Sequence, residues 1–189
     1  MKSLTIATFA IAIGLATTAT ANEFEQPLRS LADSEIKAMA SDPVVISAVK
    51  EQNQQNADLS QDEIDSLDKK WRKQVGSGGD LIDRVLSNDL SKYLKQAKEK
   101  GKGLYTEIFV TDNHGLNVGQ SNVTSDYWQG DEAKWQVPYQ QQELQIGAIE
   151  LDESTQSYQS QVSAPVVDPG NGDVIGAITV GVSVEQLAQ

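Results

Sequence analysis

The chain has 189 residues, with 27 acidic and 15 basic side chains, a net charge of −12 and no cysteine. A surface this acidic repels phosphate backbones and anionic lipid head groups, so nucleic acid is excluded as a favoured partner. Without cysteine there is no disulfide framework, and the fold must rest on a hydrophobic core that a chain of this length can bury as one domain.

The first 21 residues have the composition of a secretory signal peptide. An apolar stretch runs from Leu4 to Ala16, and Ala19-Thr20-Ala21 supplies a small-x-small cleavage pattern. The stretch is 13 residues long, whereas spanning a bilayer takes about 20. We therefore predict that residues 1–21 are removed after Ala21 and that the mature protein is periplasmic.

Residues 22–79 are predicted to form an N-terminal helical region. Asp42-Pro43 is typical of a helix start, because Asp caps the helix and Pro fits its first turn. Ser60 and Glu63 have the spacing of a capping box. The residues that follow place apolar side chains three and four apart, on one helix face: Ile64, Leu67, Trp71 and Val75.

A long helix is predicted to open the second region, residues 80–189. From Asp80 to Ala97 the apolar side chains form a broad stripe along one face. Lysines cluster in the last turn, where they complement the negative end of the helix dipole, and Gly101 ends the helix.

The hydrophobic period then changes to that of β-strands. Turn sequences such as DNHG (112–115) and DPGNGD (168–173) separate short strands, which pair antiparallel when joined by tight turns. Five strands are predicted: residues 104–111, 116–121, 144–151, 156–167 and 174–184. The predicted fold class is α+β, a five-stranded antiparallel sheet preceded by long N-terminal helices.

The insert between the second and third strands, residues 122–143, is the candidate binding region, because inserts on a rigid sheet often carry binding residues. Residues 103–189 contain 12 acids and a single base, Lys134. Aromatic faces beside carboxylates favour a cation. We predict as ligand an amine, a quaternary ammonium or a neutral polar compound, contacted by Asp126, Tyr127, Trp128, Asp131, Glu132, Trp135, Tyr139 and Asp173.

A structural interpretation of the same insert stays open. Asp131-Glu132 would suit the start of a short helix, since acids complement the positive end of its dipole. Trp128 and Trp135 lie seven residues apart, a spacing that could place both on one helix face against the sheet.

Residues for catalysis and metal binding are sparse. His114 is the only histidine and lies in a predicted turn, and there is no cysteine, so no transition-metal site, catalytic residue or cofactor is predicted. We expect no enzyme activity. A hydrolase that uses carboxylates alone is the weakest alternative, because the separation of the acids in space is not visible in the sequence.

Two stretches resemble a known family: IFVTDNHGLNVGQSNVTSDYWQGDEAKW (108–135) and VSAPVVDPGNGDVIGAITVGVSVEQL (162–187). They are similar to the extracytoplasmic Cache sensor domains, also called PDC domains, of bacterial signalling proteins. The resemblance covers roughly residues 80–187. It implies a PAS-like five-stranded sheet backed by a long N-terminal helix, with a small molecule bound between the sheet and the insert.

The chain departs from the family pattern in two ways. Family members usually continue from the last strand into a membrane helix, whereas this chain ends at Gln189, so a free-standing form is predicted. Members that bind amino acids place an arginine two residues before the tryptophan of the insert. Here Ala133 holds that position before Trp135, so amino acids bound in the usual manner are not expected.

Two functions follow from the insert and the resemblance. The first is a periplasmic, small-molecule-binding sensor module that signals through a membrane-bound receptor or transporter. The second is an interaction protein that has a sensor fold but no ligand, and that docks a receptor or forms a homodimer through its helices.

Overall fold

The computed structural model describes residues 22–152 and 157–189. The predicted signal peptide, residues 1–21, lies outside the described residues. Within the described ranges, none of the helices has both the length and the apolar character needed to span a membrane.

Helices form the first part of the chain. They are α1 (Glu25–Leu31), α2 (Lys37–Ala40), α3 (Pro43–Gln55), α4 (Gln61–Gln74), α5 (Asp80–Ser87) and α6 (Asp89–Lys100), with a π-helical segment, Ala32–Ile36, between α1 and α2. Both predicted helix starts are confirmed. The Asp42 carboxylate accepts a hydrogen bond from the Val44 amide at 2.9 Å, and a Ser60–Glu63 capping box opens α4.

The prediction of one continuous helix after Asp80 is wrong, because the chain breaks at Asn88. This residue has extended backbone angles, φ −69° and ψ 167°. Its side-chain oxygen caps α6 by accepting from the Ser91 backbone amide at 2.7 Å, and its side-chain Nδ2 donates to the Val118 carbonyl at 2.7 Å. The apolar stripe continues across the break, which explains why hydrophobic periodicity alone indicated a single helix.

The five predicted strands and their antiparallel pairing are confirmed. The strands are β1 (Tyr105–Thr111), β2 (Asn117–Gln120), β3 (Gln145–Asp152), β4 (Ser157–Val167) and β5 (Val174–Ser183). They form one sheet in the order β2-β1-β5-β4-β3. The sheet thus has β1, β5 and β4 at its centre, and the chain has the predicted α+β fold class.

One face of the sheet forms the main hydrophobic core with the N-terminal helices. Alternate positions of each strand point to one face of a sheet, and here those positions are apolar and buried: Ile108, Val110, Val162, Ala164, Val166, Ile178, Val180 and Val182. They pack against the helices through side chains that include Leu28, Ile36, Val45, Val49, Leu90 and Leu94.

A second, smaller core joins α4 and α5 to the beginning of the insert. Its buried side chains are Ile64, Trp71, Leu81, Ile82, Val85, Leu116 and Tyr127. The insert continues through a short helix, α7 (Ala133–Trp135), and a π-helical segment, Gln136–Gln141, before β3 begins, and α8 (Val184–Leu187) follows β5.

Candidate ligand-binding site

The sheet face beneath the insert is polar. Its side chains include Glu107 and Phe109 from β1, Gln159, Gln161 and Ser163 from β4, and Thr179 from β5. The Ser163 and Thr179 hydroxyl groups hydrogen bond to each other across the two strands at 3.0 Å. The same strands therefore present an apolar face to the helices and a hydrogen-bonding face to the insert.

Two adjoining cavities lie between this polar face and the insert. The first has a volume of about 310 Å³, and Glu107, Phe109, Thr124, Gln129, Lys134 and Gln161 are among its lining residues. The second has a volume of about 300 Å³, with Glu132, Lys134, Gln145, Gly147, Glu150 and Gln161 among its lining residues. Lys134 and Gln161 line both. Each volume lies at the lower end of the range of small-molecule sites, roughly 300–1,000 Å³.

Lys134 places a positive charge between the two cavities. Its side chain is 18% exposed and its Nζ atom lies 2.9 Å from Glu132 Oε2. The same Nζ lies 5.7 Å from the centre of the Phe109 ring, within the range of a cation–π contact. An aromatic face and a carboxylate therefore already hold one cation at this place.

Glu107 supplies a carboxylate on the floor of the first cavity. Its Oε1 accepts a hydrogen bond from Gln161 Nε2 at 2.8 Å, and Gln159 Nε2 approaches the same atom at 3.5 Å. The Thr106 hydroxyl donates to Gln159 Oε1 and fixes that amide. Within the described part of the chain, Glu107 forms no ion pair with a base.

Two further amides at these cavities have an unpaired acceptor. Gln129 is 2% exposed, and its Nε2 donates to the Asp126 carbonyl at 3.0 Å. Its Oε1, like that of Gln145, has no hydrogen-bond partner among the described residues. Buried polar atoms are normally paired, so these two oxygens are exceptions, and both belong to residues that line the cavities.

The first residues of the insert are held by α4. Asp68, which is buried on α4, accepts hydrogen bonds on Oδ1 from the Tyr127 amide at 2.9 Å and the Trp128 amide at 3.2 Å. Trp71 stacks on Tyr127 with ring centres 5.3 Å apart. Arg72 Nε lies 2.8 Å from Asp68 and 2.9 Å from Asp126. Asp126 and Tyr127 thus attach the insert to the helical region.

The two tryptophans of the insert bind the β1–β2 turn. Trp128 Nε1 donates to the His114 carbonyl at 2.9 Å, and Trp135 Nε1 donates to the Asp112 carbonyl at 3.0 Å. Trp135 also stacks on Tyr139 with ring centres 4.8 Å apart. Neither indole is among the residues that line the two cavities beneath the insert.

Of the remaining residues predicted to contact a ligand, some line a cavity and others lie at the exposed surface. Glu132 lines the second cavity, and Tyr127 lines a separate cavity on the helical side. Asp131 and Asp173 are exposed, and Asp173 accepts from Asn171 Nδ2 at 2.5 Å. The structure therefore brings one of the eight predicted residues to the cavities beneath the insert, and ligand contact by the eight stays a prediction.

The structural interpretation of the insert is correct in one part and wrong in another. Glu132 does precede a short helix, α7, as the acids at its start indicated. Trp128 does not share a helix face with Trp135, because Trp128 forms an isolated antiparallel bridge with Leu116.

Three side chains in or beside the insert have shifted pKa values: Tyr127, Tyr139 and Arg72. Burial raises the pKa of Tyr127 to about 12, against the opposing effect of Arg84, and burial also raises the pKa of Tyr139. Asp68, followed by Asp126, raises the pKa of Arg72. These phenols stay protonated and the guanidinium stays charged at neutral pH. Over the described residues, no group of three or more His, Asp and Glu side chains could hold a metal ion.

Sequence reasoning missed Glu107, Phe109, Gln159 and Gln161. A signal for two of them was present. Gln159, Gln161 and Ser163 alternate with small and apolar residues in a strand whose neighbours are buried, and polar side chains repeated on one strand face indicate a polar layer between sheet and covering segment.

Comparison with known proteins gives structural matches only. No protein-family model and no curated protein sequence matches the chain. The E. coli DcuS sensor domain matches 87% of this chain and 97% of its own, with a TM-score of 0.51 and 14% identity.

Two further solved structures are more distant matches. The ligand-binding domain of the Campylobacter jejuni chemoreceptor Tlp3, in complex with 4-methylisoleucine, has a TM-score of 0.42 and 16% identity. The V. cholerae histidine kinase DctB sensor domain has a TM-score of 0.40 and 13% identity. Each matches 87% of this chain, which spans 61% of the Tlp3 chain and 59% of the DctB chain.

The fold, rather than any shared sequence, relates this chain to the DcuS sensor domain, which is of Cache type. The match covers 97% of the DcuS chain, and the described part of the present chain that it covers contains a five-stranded antiparallel sheet. The described chain has the fold of a Cache (PDC) sensor domain.

Proposed function

We propose that the protein is a periplasmic sensor-type module that captures a small cationic or neutral ligand beneath its insert and signals through a membrane-bound partner. The observation that carries this proposal is the pair of adjoining cavities on the polar sheet face, walled by Glu107, Phe109, Lys134 and Gln161. The DcuS match adds that this fold serves as a sensor domain in another protein.

The charges of the lining support the ligand class. Glu107 and Asp152 line the first cavity, Glu132 and Glu150 line the second, and Lys134 is the only base among the lining residues of either. Four acids against one base favour a guest without negative charge. The unpaired acceptors of Gln129 and Gln145 favour a guest that donates hydrogen bonds. An amine or an amide-bearing compound meets both conditions.

A thermal-shift screen tests ligand capture. Ligand that binds the native state raises the melting temperature by mass action, and a concentration 100-fold above Kd would raise it by about 5–10 °C for a chain of this size. We expect hits among amines, quaternary ammonium compounds and neutral polar compounds. A screen that also contains organic acids and purines, and in which nothing shifts the melting temperature, would contradict the proposal.

A matched pair of variants locates the binding. Glu107→Gln removes the cavity carboxylate with little change of shape, and we expect it to weaken binding of a hit amine about tenfold or more. Glu185→Gln makes the same change at an exposed position of α8 and should leave the affinity unchanged. Equal affinities for all three proteins would place the ligand elsewhere.

Export and signalling have separate tests. The mass of the protein recovered from a periplasmic extract should correspond to a chain that begins at Asn22, and an intact N-terminus would contradict cleavage after Ala21.

A photo-crosslinker placed at exposed positions of α3 and α6 should give a ligand-dependent crosslink to a membrane protein in native cells. A crosslink yield that is the same with and without the ligand would refute ligand-dependent signalling.

The packing of the insert favours a second candidate function. Trp128, Trp135 and Tyr127 are all engaged in contacts with the protein itself, which is the behaviour expected of an interaction protein that has a sensor fold but no ligand. A dimer or receptor complex whose affinity is independent of every screened compound would favour this candidate.

A further inference from the structure

A separate cavity lies on the helical side of the molecule, away from the sheet face used above. It has a volume of about 570 Å³ and lies between α3 and the α5–α6 segment, with Tyr127 among its lining residues. Apolar side chains of Val85, Leu90 and Val118 contribute to its walls. Its volume is within the range of small-molecule sites, and it shares no lining residue with either cavity beneath the insert.

Arg84 supplies this cavity with a positive charge that has no carboxylate partner among the described residues. Of the chain's three arginines, Arg29 pairs with Glu25, and Arg72 pairs with Asp68 and Asp126. Arg84 forms no ion pair with a carboxylate in the described ranges. Its guanidinium lies instead beside the Tyr127 hydroxyl. In a chain of net charge −12, an arginine without an acid partner calls for an explanation.

The neighbouring carboxylates are already engaged with other groups. Asp89, at the cavity edge, lies 2.8 Å from Lys92. Glu51 accepts from Gln55 Nε2 at 3.1 Å. The buried carboxylate of Asp112, behind the cavity wall, accepts from Gln52 and Asn56 at 2.9 Å each. Each of these acids therefore has a partner other than Arg84, and the N–H donors of Arg84 that Tyr127 does not use are open to an external anion.

We propose that this cavity on the helical side, called the groove below, binds a small monocarboxylate, with Arg84 holding the carboxylate group. A guanidinium donates two parallel N–H groups that match a carboxylate, and the adjacent Tyr127 hydroxyl can donate a third hydrogen bond. The apolar side chains of Val85, Leu90 and Val118 suit a short hydrocarbon body. Glu51 and Asp89 line the same cavity and disfavour a second negative charge on the ligand.

On this proposal the two cavity systems bind different classes of ligand. Acceptors dominate the sheet face beneath the insert, whereas the groove offers a guanidinium and a phenol. This inference does not depend on the proposed sensor function, because the groove can bind a carboxylate whether or not the sheet-face cavities are occupied.

The test is a titration of the ¹⁵N-labelled full mature chain followed by NMR at constant ionic strength. Butyrate is the probe, butyramide the neutral control and succinate the dianionic control. We expect butyrate at millimolar concentration to give saturable shifts of the Arg84 Nε–H, the Tyr127 amide and the Trp71 indole, which stacks on Tyr127. Butyramide and succinate should bind about tenfold or more weakly.

Variants separate the groove from general charge effects. Arg84→Gln should weaken butyrate about tenfold or more, while Arg29→Gln, which also removes an exposed arginine, and Lys134→Met, which alters the sheet-face cavities, should leave it unchanged. Because Arg84 is exposed, its variant should keep the native circular dichroism spectrum. Absence of butyrate shifts in the native protein, equal binding of butyramide, or full affinity in Arg84→Gln would each overturn the proposal.

Discussion

The two faces of the sheet are built from the same strands and differ in the polarity and the packing of their side chains. The helix-facing positions are aliphatic and packed, as at Ile178 and Val180, both 0% exposed. The insert-facing positions are polar, as at Glu107 and Gln161, and leave two cavities. Burial of apolar area stabilises the fold on the first face, while the second face leaves hydrogen-bonding groups available to a guest.

This difference separates stability from binding within one sheet. Because side chains alternate between faces, residues next to each other in the sequence serve different purposes. Substitutions on the helix face should change the free energy of unfolding and leave ligand preference intact, and those on the insert face should do the reverse.

The largest effect is expected from Ile178→Ala. Truncation of a fully buried aliphatic side chain removes transfer free energy and leaves a cavity, so the free energy of unfolding should fall by about 2–5 kcal/mol. Gln161→Ala, on the cavity face of the neighbouring strand, should cost less than about 1 kcal/mol. Urea denaturation of both variants checks the contrast, which equal losses would disprove.

A somewhat smaller loss is expected from Asp68→Ala. The change leaves the buried Tyr127 amide without its acceptor, which costs about 1–3 kcal/mol, whereas the Trp128 amide, which loses the same acceptor, is only part-buried and adds less. Hydrogen exchange of these two amides should become faster as the insert loosens from α4. Asp65→Ala, on the same helix, is the control and should leave the exchange of both amides slow. Unchanged exchange in Asp68→Ala would show that α4 does not hold the insert.

The strands, their pairing and the starts of α3, α4 and α5 could be predicted from the sequence, because each depends on local patterns of alternation, capping and turn residues. Asn88 was missed because one polar residue hardly disturbs an apolar stripe, although its capping bond breaks the helix. The role of Trp128 and Trp135 was not predictable, since their partners are backbone carbonyls of a turn distant in sequence.

The candidate site was predicted less well than the fold for a related reason. Composition pointed to the insert, but the cavities depend on which strand faces the insert covers, and that follows from tertiary packing. Lys134 was noted only as the single base of the second half, whereas it lies between both cavities.

An intermediate effect is expected from Lys134→Met, which removes the cation beside the cavities and keeps an unbranched side chain. A cationic ligand should then bind about threefold to tenfold more tightly, because a like charge has been removed. Calorimetric titration with an amine from the screen measures this change. Weaker binding would mean that Lys134 contacts a negatively charged ligand, contrary to the proposed ligand class.

The smallest effect concerns pH and the β4–β5 turn. The hydrogen bond from Lys50, followed by that from the Gly170 amide, lowers the pKa of Asp168. A carboxylate whose pKa is lowered by folding stabilises the protein above its unfolded pKa of about 4 and loses that contribution as the pH falls. The melting temperatures of the native protein and Asp168→Asn should therefore converge as the pH falls from about 5 to below the folded pKa of Asp168. Asp58→Asn is the exposed control, and a constant difference for Asp168→Asn would contradict the linkage.

The most direct test of the central claim is a high-resolution crystal structure of the protein purified from its native host. We predict a small cationic or neutral molecule between the sheet and the insert that donates hydrogen bonds to the Glu107 carboxylate and to the side-chain oxygen of Gln129. Side chains that fill both cavities, or a carboxylate-rich molecule bound beside Lys134, would contradict the account.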